Sequence, residues 1–518
     1  MRKSLVFISF LLIISILTAC ASNYSTSRPK SAASNKPVYG GTLTIADLND
    51  AQGLDPHKET NAQSFHYIEN MYDTLFQYKK GTYGTIEKDL VKSYKVSKDG
   101  KIYTFHLYNN VKFHNGDPLT SADVVYSINR IKQLGVRAQQ FSAVQSMSTP
   151  NKATVVITLQ QSVAPFLTFL ANPMNAIVDP KIVEDHHGNL DQTDAGSGPF
   201  KLVSWKKDQE MVLEKNKSYF KKGFPYLNKV VFKTIPDDTS RTTAIRNKEI
   251  NIDLQLSPKD KLLLQKSSGL TVKSVPGTYW EYIGMNVTKG PLKSRDVREA
   301  IAWAVDRQAL NKEIKFGQAT PLTGGPIPPG NTYYDNKLNV YTKQNLVKAK
   351  HLLDKAGYAN GFSITLQVGQ TQDQIDAAQV VKSQLKKVGI NVKIQQEEDS
   401  VFFNALGKKQ FEMDIVGWVG FVDPDEFLYN IFHTNGAYNQ QNYSNKQVDK
   451  LLDAGRTTMN QSARQKIYDE AQKIIVNDAP MVFLYANGQA SAMTDNVHGF
   501  DVNPTVTTKS LESTWLNK

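Results

Sequence analysis

The chain of 518 residues has one cysteine and, beyond its first twenty residues, no long apolar run. A single thiol cannot close an intramolecular disulfide or supply a cysteine metal site by itself. A membrane-spanning helix needs about 20 apolar residues, so none is predicted beyond the amino terminus. With 40% hydrophobic and 21% charged residues, the composition is that of a large ordered protein.

Continuous basic runs are also missing, although Lys and Arg number 61 against 49 acidic residues and the net charge is +12. The basic residues come in doublets such as Lys206-Lys207 and Lys386-Lys387. Nucleic-acid-binding arms and stripes have denser positive charge, so we expect no nucleic acid as a partner. A general attraction to anionic polymers or lipid headgroups stays open, because net charge acts over the whole surface.

Catalytic signatures are few. The sequence contains no Gly-x-Ser-x-Gly, His-Glu-x-x-His or Walker motif. Ser-x-x-Lys occurs at Ser204 and Ser383, as in penicillin-interacting acyltransferases, but no Lys-Thr-Gly follows either serine. Residues 184–187, Glu-Asp-His-His, would need a further segment to complete a metal shell. We therefore expect no enzyme, no cofactor and no metal site, and keep an extracytoplasmic acyltransferase as an alternative.

The first twenty residues carry a targeting pattern. Two basic residues precede an uncharged, mostly apolar run over residues 5–17, which is too short to span a bilayer but suits the core of a signal peptide. The tetrapeptide Leu17-Thr18-Ala19-Cys20 follows and resembles the lipobox of bacterial lipoproteins. This resemblance implies cleavage before Cys20 and a diacylglyceryl group on its thiol.

The segment after Cys20 is rich in Ser, Ala, Asn and Lys, a composition typical of a flexible tether. We therefore expect a lipoprotein signal peptide over residues 1–19 and a lipidated tether over 20–37. The protein would then sit at the outer face of the bacterial cytoplasmic membrane, or membrane-anchored in the periplasm if the cell is Gram-negative.

Beyond the tether, short strands alternate with amphipathic helices. Apolar and β-branched residues predict strands over residues 41–46, 101–107, 153–159, 230–235, 362–368 and 391–395. Helical stripes of apolar residues cover 294–314 and 372–388, and Thr120 with Asp123 forms a possible capping box ahead of another helix. The mixture predicts an α/β or α+β body in more than one lobe.

Several motifs follow one another in a fixed order. They are GGTLT at 40–44 with LDP at 54–56, DGKIYTFHL at 99–107 with VKFHNG at 111–116 and TSADVV at 120–125, GSGPF at 196–200, NxxYF at 216–220, VRxAIxxAVDR at 297–307 and AxxLLxxAGY at 349–358. Together they resemble the bacterial family 5 extracellular solute-binding proteins, the receptor subunits of peptide and nickel ABC importers. The resemblance extends over residues 40–490, which is nearly the whole chain after the tether.

The resemblance implies a periplasmic-binding-protein-like clamshell of two α/β lobes, with an extra subdomain inserted in the first lobe. Carried over to this chain, lobe I covers 38–72, 190–278 and 486–518, the inserted subdomain covers 73–189, and lobe II covers 279–485. The solute would be enclosed between the lobes, and the closed complex, acting as a monomer, would be recognised by a membrane permease.

In the family's peptide binders, the segment that resembles Gly417-Trp418-Val419-Gly420-Phe421 lines the cleft with backbone groups and an aromatic wall. An enclosed peptide can satisfy its own N–H and C=O groups there by strand-like bonding. From the opposite lobe, the resemblance implies ligand contacts at Thr60, Asn61 and Ala62, and a further one at Tyr485 near the return crossing.

Two departures from the family pattern bear on the ligand. Peptide binders carry an aspartate for the ligand's α-ammonium where this chain has Phe421. A buried unpaired ammonium is costly, so either Asp423 or Asp425 replaces that partner or the ligand has no free amino terminus there. Dipeptide binders also carry an arginine for the ligand carboxylate where this chain has Val368, so a strict dipeptide receptor is not expected.

The sequence thus predicts a lipid-anchored receptor that captures peptides, oligopeptides in particular, and delivers them to the permease subunits of an ABC importer. A metal chelate or a sugar-like solute on the same fold is the alternative, because an aromatic cleft without charged anchors suits either one.

Overall fold

A computed structural model describes residues 36–82, 85–420 and 422–517. The predicted signal peptide, Cys20 and most of the tether lie outside the described residues, as does Phe421. The described strands are β1 (Thr42–Asp47), β2 (Phe76–Tyr78), β3 (Ile86–Lys88), β4 (Val91–Val96), β5 (Ile102–Leu107), β6 (Val144–Asn151), β7 (Thr154–Leu159), β8 (Phe200–Lys206), β9 (Glu210–Lys215), β10 (Lys229–Thr234), β11 (Ile252–Asp253), β12 (Leu270–Met285), β13 (Thr320–Pro321), β14 (Phe362–Val368), β15 (Ile390–Gln396), β16 (Met413–Val419), β17 (Met481–Thr494), β18 (Val497–His498) and β19 (Trp515–Leu516).

The described α-helices lie between these strands along the chain. They are α1 (Ala62–Met71), α2 (Ser121–Leu134), α3 (Phe166–Phe169), α4 (Pro180–Asp185), α5 (Asp238–Arg246), α6 (Pro258–Leu264), α7 (Arg295–Ala304), α8 (Arg307–Ile314), α9 (Leu346–Lys355), α10 (Gln372–Lys386), α11 (Asp399–Gly407), α12 (Pro424–Phe432), α13 (Lys446–Thr457) and α14 (Gln461–Asp478). None of these described helices has the length and apolar character that crossing a bilayer requires.

One large sheet runs through the body in the order β15-β14-β16-β12-β17-β11-β1-β10-β9-β8, and β13 is added on β17. The long strands β12 and β17 lie at its centre and pair antiparallel. Residues 270–276 of β12 pair with the part of β17 that also pairs with β11. Residues 280–284 of β12 pair with β17 on one edge and with β16 on the other. Between these two stretches the register shifts, so the two central strands join two halves of the sheet through an irregular crossing.

The segment between α1 and β8 builds a smaller unit. Its antiparallel sheet has the order β4-β5-β7-β6, and α2 packs against it. Its apolar side chains, including the fully buried Tyr103, Phe105 and Phe166, form a core separate from those of the two sheet halves. This separate core is what a subdomain inserted into the first lobe requires.

This smaller unit also contacts the far half of the large sheet. The backbone N–H of Ala164 donates to Arg456 O at 2.7 Å, and Ser162 Oγ donates to Thr457 O at 2.8 Å. Val422, which follows β16, is buried among the apolar side chains of the smaller unit. The two halves are therefore bridged on one side of the opening between them.

Most predicted elements are confirmed, and one is wrong. All six predicted strands are present, 362–368 with the same bounds, and α2 begins at the predicted capping box, where Thr120 N–H donates to Asp123 at 2.7 Å. The single helix predicted over 294–314 is instead α7 and α8. Val305 is extended and Asp306 accepts from the N–H of Ala309 at 3.0 Å, so an aspartate cap starts a second helix inside an unbroken apolar stripe.

Candidate functional site

The predicted cleft segment lies at the carboxyl end of β16, at the edge where the parallel strands β14 and β15 also end. A Cβ on Gly417 would lie 1.9 Å from the hydroxyl oxygen of Tyr279 on β12, and one on Gly420 would lie 2.5 Å from ring carbons of Phe427. Glycine is therefore required at both positions, because aromatic rings pack directly against the backbone and leave no room for a Cβ.

Trp418 forms the aromatic surface of this segment together with Tyr438. The indole is half-buried, and its Nε1–H donates to the backbone oxygen of Glu426 at 3.0 Å, which fixes its orientation. The Tyr438 ring meets it edge-on at a centroid distance of 4.9 Å and is itself 49% exposed. The aromatic surface at the end of β16 is thus a pair of rings, and its role as a wall of the ligand cleft stays a prediction.

Val419 lies at a cavity of about 50 Å³ between the two halves of the molecule. The other residues around it come from α1, the inserted unit, the segment after β11 and the carboxyl-terminal segment: Phe65, His66, Glu69, Tyr78, Pro173, Gln255, Thr505, Val506 and Thr507. A space of this size holds a few water molecules. A peptide would therefore enter only if the two halves move apart.

The cavity wall on α1 carries two buried ionisable groups. Burial alone would lower the pKa of His66, but the Asp47 carboxylate, 2.6 Å from Nδ1, raises it above its ordinary value. Burial raises the pKa of Glu69, although Thr507 and Thr508 both donate hydrogen bonds to its carboxylate. These charges are satisfied from within lobe I and its carboxyl-terminal segment, so they hold that segment against α1.

The predicted lobe I contacts lie just before and at the start of α1. Asn61 caps this helix by accepting from the N–H of Gln63 at 2.8 Å, Thr60 is exposed, and Ala62 is the first helical residue. The helix then continues to Phe65 at the cavity. Ligand contacts at Thr60, Asn61 and Ala62 stay a prediction, and sequence reasoning missed the cavity residues on α1, because they are ordinary members of a helical stripe.

Asp423 and Asp425 are buried, and each forms a bidentate ion pair with an arginine. Asp423 accepts from Arg464 at 2.6 and 2.7 Å, and Asp425 accepts from Arg456 at 2.7 and 2.9 Å. Asp423 also caps α12. A role for either carboxylate in binding a ligand ammonium stays a prediction, and it would have to compete with an existing guanidinium partner.

Tyr485 belongs to a buried polar cluster at the crossing of β12 and β17. Its hydroxyl donates to Glu281 at 3.2 Å, and Asn487 donates to the same carboxylate at 2.9 Å. Lys315 lies 3.0 Å from Glu281; burial lowers its pKa, but Glu281 and Asp373 outweigh this and raise it. Sequence reasoning missed Glu281 and Lys315, which lie far apart in the chain and carry no motif.

The residues of the weak catalytic and metal-site motifs lie in separate elements. Ser204 lies in β8, Ser383 in α10, and residues 184–187 span the end of α4. Within the described ranges, no group of three or more His, Cys, Asp or Glu side chains is placed to hold a metal ion.

A two-halved body joined by two central strands, with an aromatic strand end facing α1 across an opening, is the architecture of a solute-binding protein. Residues 85–439 match the model of the bacterial extracellular solute-binding proteins, family 5. The chain belongs to this family, whose members are extracytoplasmic binding proteins and not enzymes. The predicted family is therefore confirmed.

Known relatives cover nearly the whole chain. The probable D,D-dipeptide-binding periplasmic protein DdpA of Escherichia coli (strain K12) is 33% identical over 477 residues, with 89% of this chain and 92% of that protein covered. The structure of DppA from Helicobacter pylori in complex with the peptide STSA has a TM-score of 0.81 at 28% identity and covers 93% of this chain and 99% of its own.

A second solved structure extends the range of ligands. The oligopeptide-binding protein AppA from Bacillus subtilis, in complex with a nonapeptide, has a TM-score of 0.81 at 27% identity, with 93% of this chain and 100% of that chain covered. These likenesses confirm the predicted fold class, a mixed α/β clamshell of two lobes with an inserted subdomain. The lobe boundaries at particular residues stay predictions.

Proposed function

We propose that this protein captures peptides, oligopeptides in particular, between its two lobes and delivers them to the permease of an ABC importer. The observation that carries the proposal is the end of β16, where Val419 lines the interlobe cavity opposite α1 and the preceding Trp418 packs on the partly exposed Tyr438. A strand that ends at a closing cleft can extend its backbone hydrogen bonding to a peptide, whatever the peptide's side chains. Ligands of two, four and nine residues are named for similar proteins, which supports binding through the peptide backbone.

Peptide binding is tested with the full chain purified in detergent. Native mass spectrometry would detect a co-purified ligand by its mass, and thermal unfolding would be followed with D-Ala-D-Ala, glutathione and pools of tetra- to nonapeptides. At equal concentration, we expect peptides that bind more tightly to raise the melting temperature more. If no pool shifts the transition and no ligand is detected by mass, the peptide assignment is rejected.

We further propose that an acyl anchor on Cys20 holds the receptor at the outer face of the cytoplasmic membrane. The lipobox-like tetrapeptide that ends at Cys20 supports this proposal. One acyl chain gives only marginal binding, but the two or three chains of a lipoprotein hold a protein firmly. A Cys20→Ser variant should move from the membrane fraction to the medium and lose labelling by radioactive palmitate, whereas a neighbouring Ser22→Ala variant should keep both.

A further inference from the structure

His66 is a buried imidazole on the α1 wall of the interlobe cavity. It is 2% exposed, and it lines the cavity of about 50 Å³ that Val419 also lines. Its Nδ1 lies 2.6 Å from the Asp47 carboxylate on β1, whereas its Nε2 forms no hydrogen bond within the described part of the chain. Because Nδ1 is turned towards β1, Nε2 is the polar atom of the ring that remains for a solute.

The Asp47 carboxylate determines which nitrogen of His66 carries a hydrogen. Its Oδ1 accepts from the N–H of Leu48 at 2.8 Å, and its Oδ2 is the atom that faces Nδ1. A carboxylate can only accept, so Nδ1 carries a hydrogen whether the ring is neutral or charged. Nε2 is therefore an acceptor when the imidazole is neutral and an N–H donor when it is charged.

The ionisable side chains that face His66 are acids. They are Asp47 on β1, Glu69 one turn further along α1, and the phenol of Tyr78 on β2. Among the described residues that line the cavity, none is a lysine or an arginine. The charged side chains of neighbouring elements form ion pairs of their own: Lys509 with Asp73 at 2.9 Å and Arg241 with Asp253 at 3.3 Å.

These acids favour the charged form of His66. Burial alone would lower the pKa of the imidazole, but the adjacent Asp47 carboxylate and, more weakly, Glu69 raise it above its ordinary value. Asp47 bonds to the imidazolium only at Nδ1. The charged ring thus offers its second N–H to the cavity, where no described cation competes for an acceptor.

We propose that His66 contacts the bound solute through Nε2 and, as an imidazolium, donates a hydrogen bond to an oxygen atom of that solute, either a main-chain carbonyl or a carboxylate. The inference rests on the proposed capture of peptides, whose chain offers both kinds of oxygen. His66 belongs to the predicted lobe I and Val419 to lobe II, so a peptide that bonds to both sides stabilises the closed state. Capture is then tighter at low pH, and deprotonation of His66 weakens it.

The test follows peptide binding across pH by calorimetry on the full chain in detergent. Acetyl-tetra-alanine keeps a terminal carboxylate, acetyl-tetra-alanine amide offers only carbonyl oxygens, and neither probe titrates between about pH 5.5 and about pH 9. We expect the affinity to fall by about 10-fold or more as the pH rises through this range, because the charge-assisted hydrogen bond is lost. A fall for both probes identifies a main-chain carbonyl as the acceptor, and a fall for the acid alone identifies the carboxylate.

Variants separate a ligand contact from a residue that only joins α1 to β1. His66→Gln keeps an amide at the cavity but does not titrate, so it should lose the pH dependence. Asp47→Asn removes the counter-charge and should shift the fall in affinity to lower pH. The exposed His351→Gln control should match the wild type. A purely structural role would weaken binding by the same factor at every pH.

Melting curves would show whether each variant folds. If His66→Gln does not, the wild type still decides, through NMR of carbon-13-labelled histidine side chains. One imidazole pKa should rise when peptide is added, because the solute then bonds to the charged form. Histidine titrations that are unchanged by a bound peptide would contradict the contact.

Two results would overturn the contact while leaving the peptide receptor in place: the same pH profile for the wild type and His66→Gln, or an affinity that rises with pH. If a pooled peptide binds but neither probe does, the profiles are measured with that peptide, since the difference between wild type and variant cancels the peptide's own titration. If no probe and no pooled peptide binds, the proposed function is rejected and the His66 contact with it.

Discussion

Asp423 and Arg464 show how a residue next to the candidate cleft can have a structural rather than a binding role. Both side chains are almost fully buried, and the carboxylate raises the pKa of Arg464 above its ordinary value. Removing one partner of a buried pair leaves an uncompensated charge, which costs far more than the pair itself contributes.

Asp423→Asn should therefore lower the free energy of unfolding by about 3 kcal/mol or more, measured by urea denaturation. The exposed Asp354→Asn serves as control, and Asp423→Leu combined with Arg464→Met should recover much of the loss, because no charge is then left unpaired. Unchanged stability of Asp423→Asn together with lost affinity for peptides with a free amino terminus would instead make Asp423 the ligand's ammonium partner.

Trp418 is the residue for which the site predicts the largest direct loss of affinity. Its half-buried indole directly precedes Val419 of the cavity wall, and central aromatic side chains carry a large share of binding energy. Trp418→Ala should weaken peptide binding by at least about 10-fold in calorimetry. Trp303→Ala, which removes another half-buried indole of lobe II packed on Tyr341, is the matched control and should leave the dissociation constant unchanged.

Asp414 is a buried carboxyl group, and no hydrogen-bond partner for either of its oxygens lies in the described part of the structure. Burial raises its pKa to about 8. It therefore keeps its proton in the folded state at neutral pH, while the unfolded chain releases that proton above about pH 4. The folded state is thus at no disadvantage below pH 4 and loses stability as the pH rises towards 8.

Asp414→Asn should remove this pH dependence. We expect the variant to match the wild type near pH 4 and to exceed it at pH 8 by on the order of 5 kcal/mol in urea denaturation. A stability difference that stays constant over this pH range would show that Asp414 does not titrate as its burial indicates. Asp354→Asn again serves as the exposed control.

At the scale of elements, the crossing of β12 and β17 is where the two halves of the sheet meet. The register shift lies between Pro276 and Trp280, and Gly277 lies inside it. A Cβ on Gly277 would lie 2.5 Å from the backbone oxygen of Asn487, whereas one on Gly488 would come no nearer than 3.5 Å to Val275 O. The close approach of the two strands thus depends on Gly277.

Gly277→Ala should push the strands apart at the crossing, with a loss of about 1 to 3 kcal/mol in unfolding free energy. Gly488→Ala is the matched control on the facing strand and should cost much less. Equal costs for the two variants would show that the crossing is not the close contact described above.

The strands and the break between α7 and α8 show which secondary-structure elements sequence patterns can predict and which they cannot. The strands were predictable because half-buried strands alternate apolar and polar residues whatever they pair with. The division of 294–314 into α7 and α8 was not, because the apolar stripe continues through the break. The break is caused by the Asp306 cap. The sequence alone does not distinguish an aspartate that caps a new helix from one that faces solvent within a continuous helix.

At the scale of the whole molecule, the cavity at Val419 is too small for a peptide, so binding and release require the lobes to separate and close. A solute that contacts both lobes favours closure by the difference in its affinity for the two states. Small-angle X-ray scattering should therefore show a smaller radius of gyration with a bound peptide than after its removal by partial unfolding and dialysis. An unchanged radius would contradict closure around the ligand.

The sequence by itself determined the family, the mixed α/β class and most strands, because these depend on short motifs and on periodicity along the chain, and it predicts an anchor at Cys20. Only the tertiary structure decided which groups meet: Val419 with α1 across the opening, and Asp423 with Arg464. Such contacts join residues separated by 41 to 354 positions, and burial and pairing of charges exist only once the chain is folded.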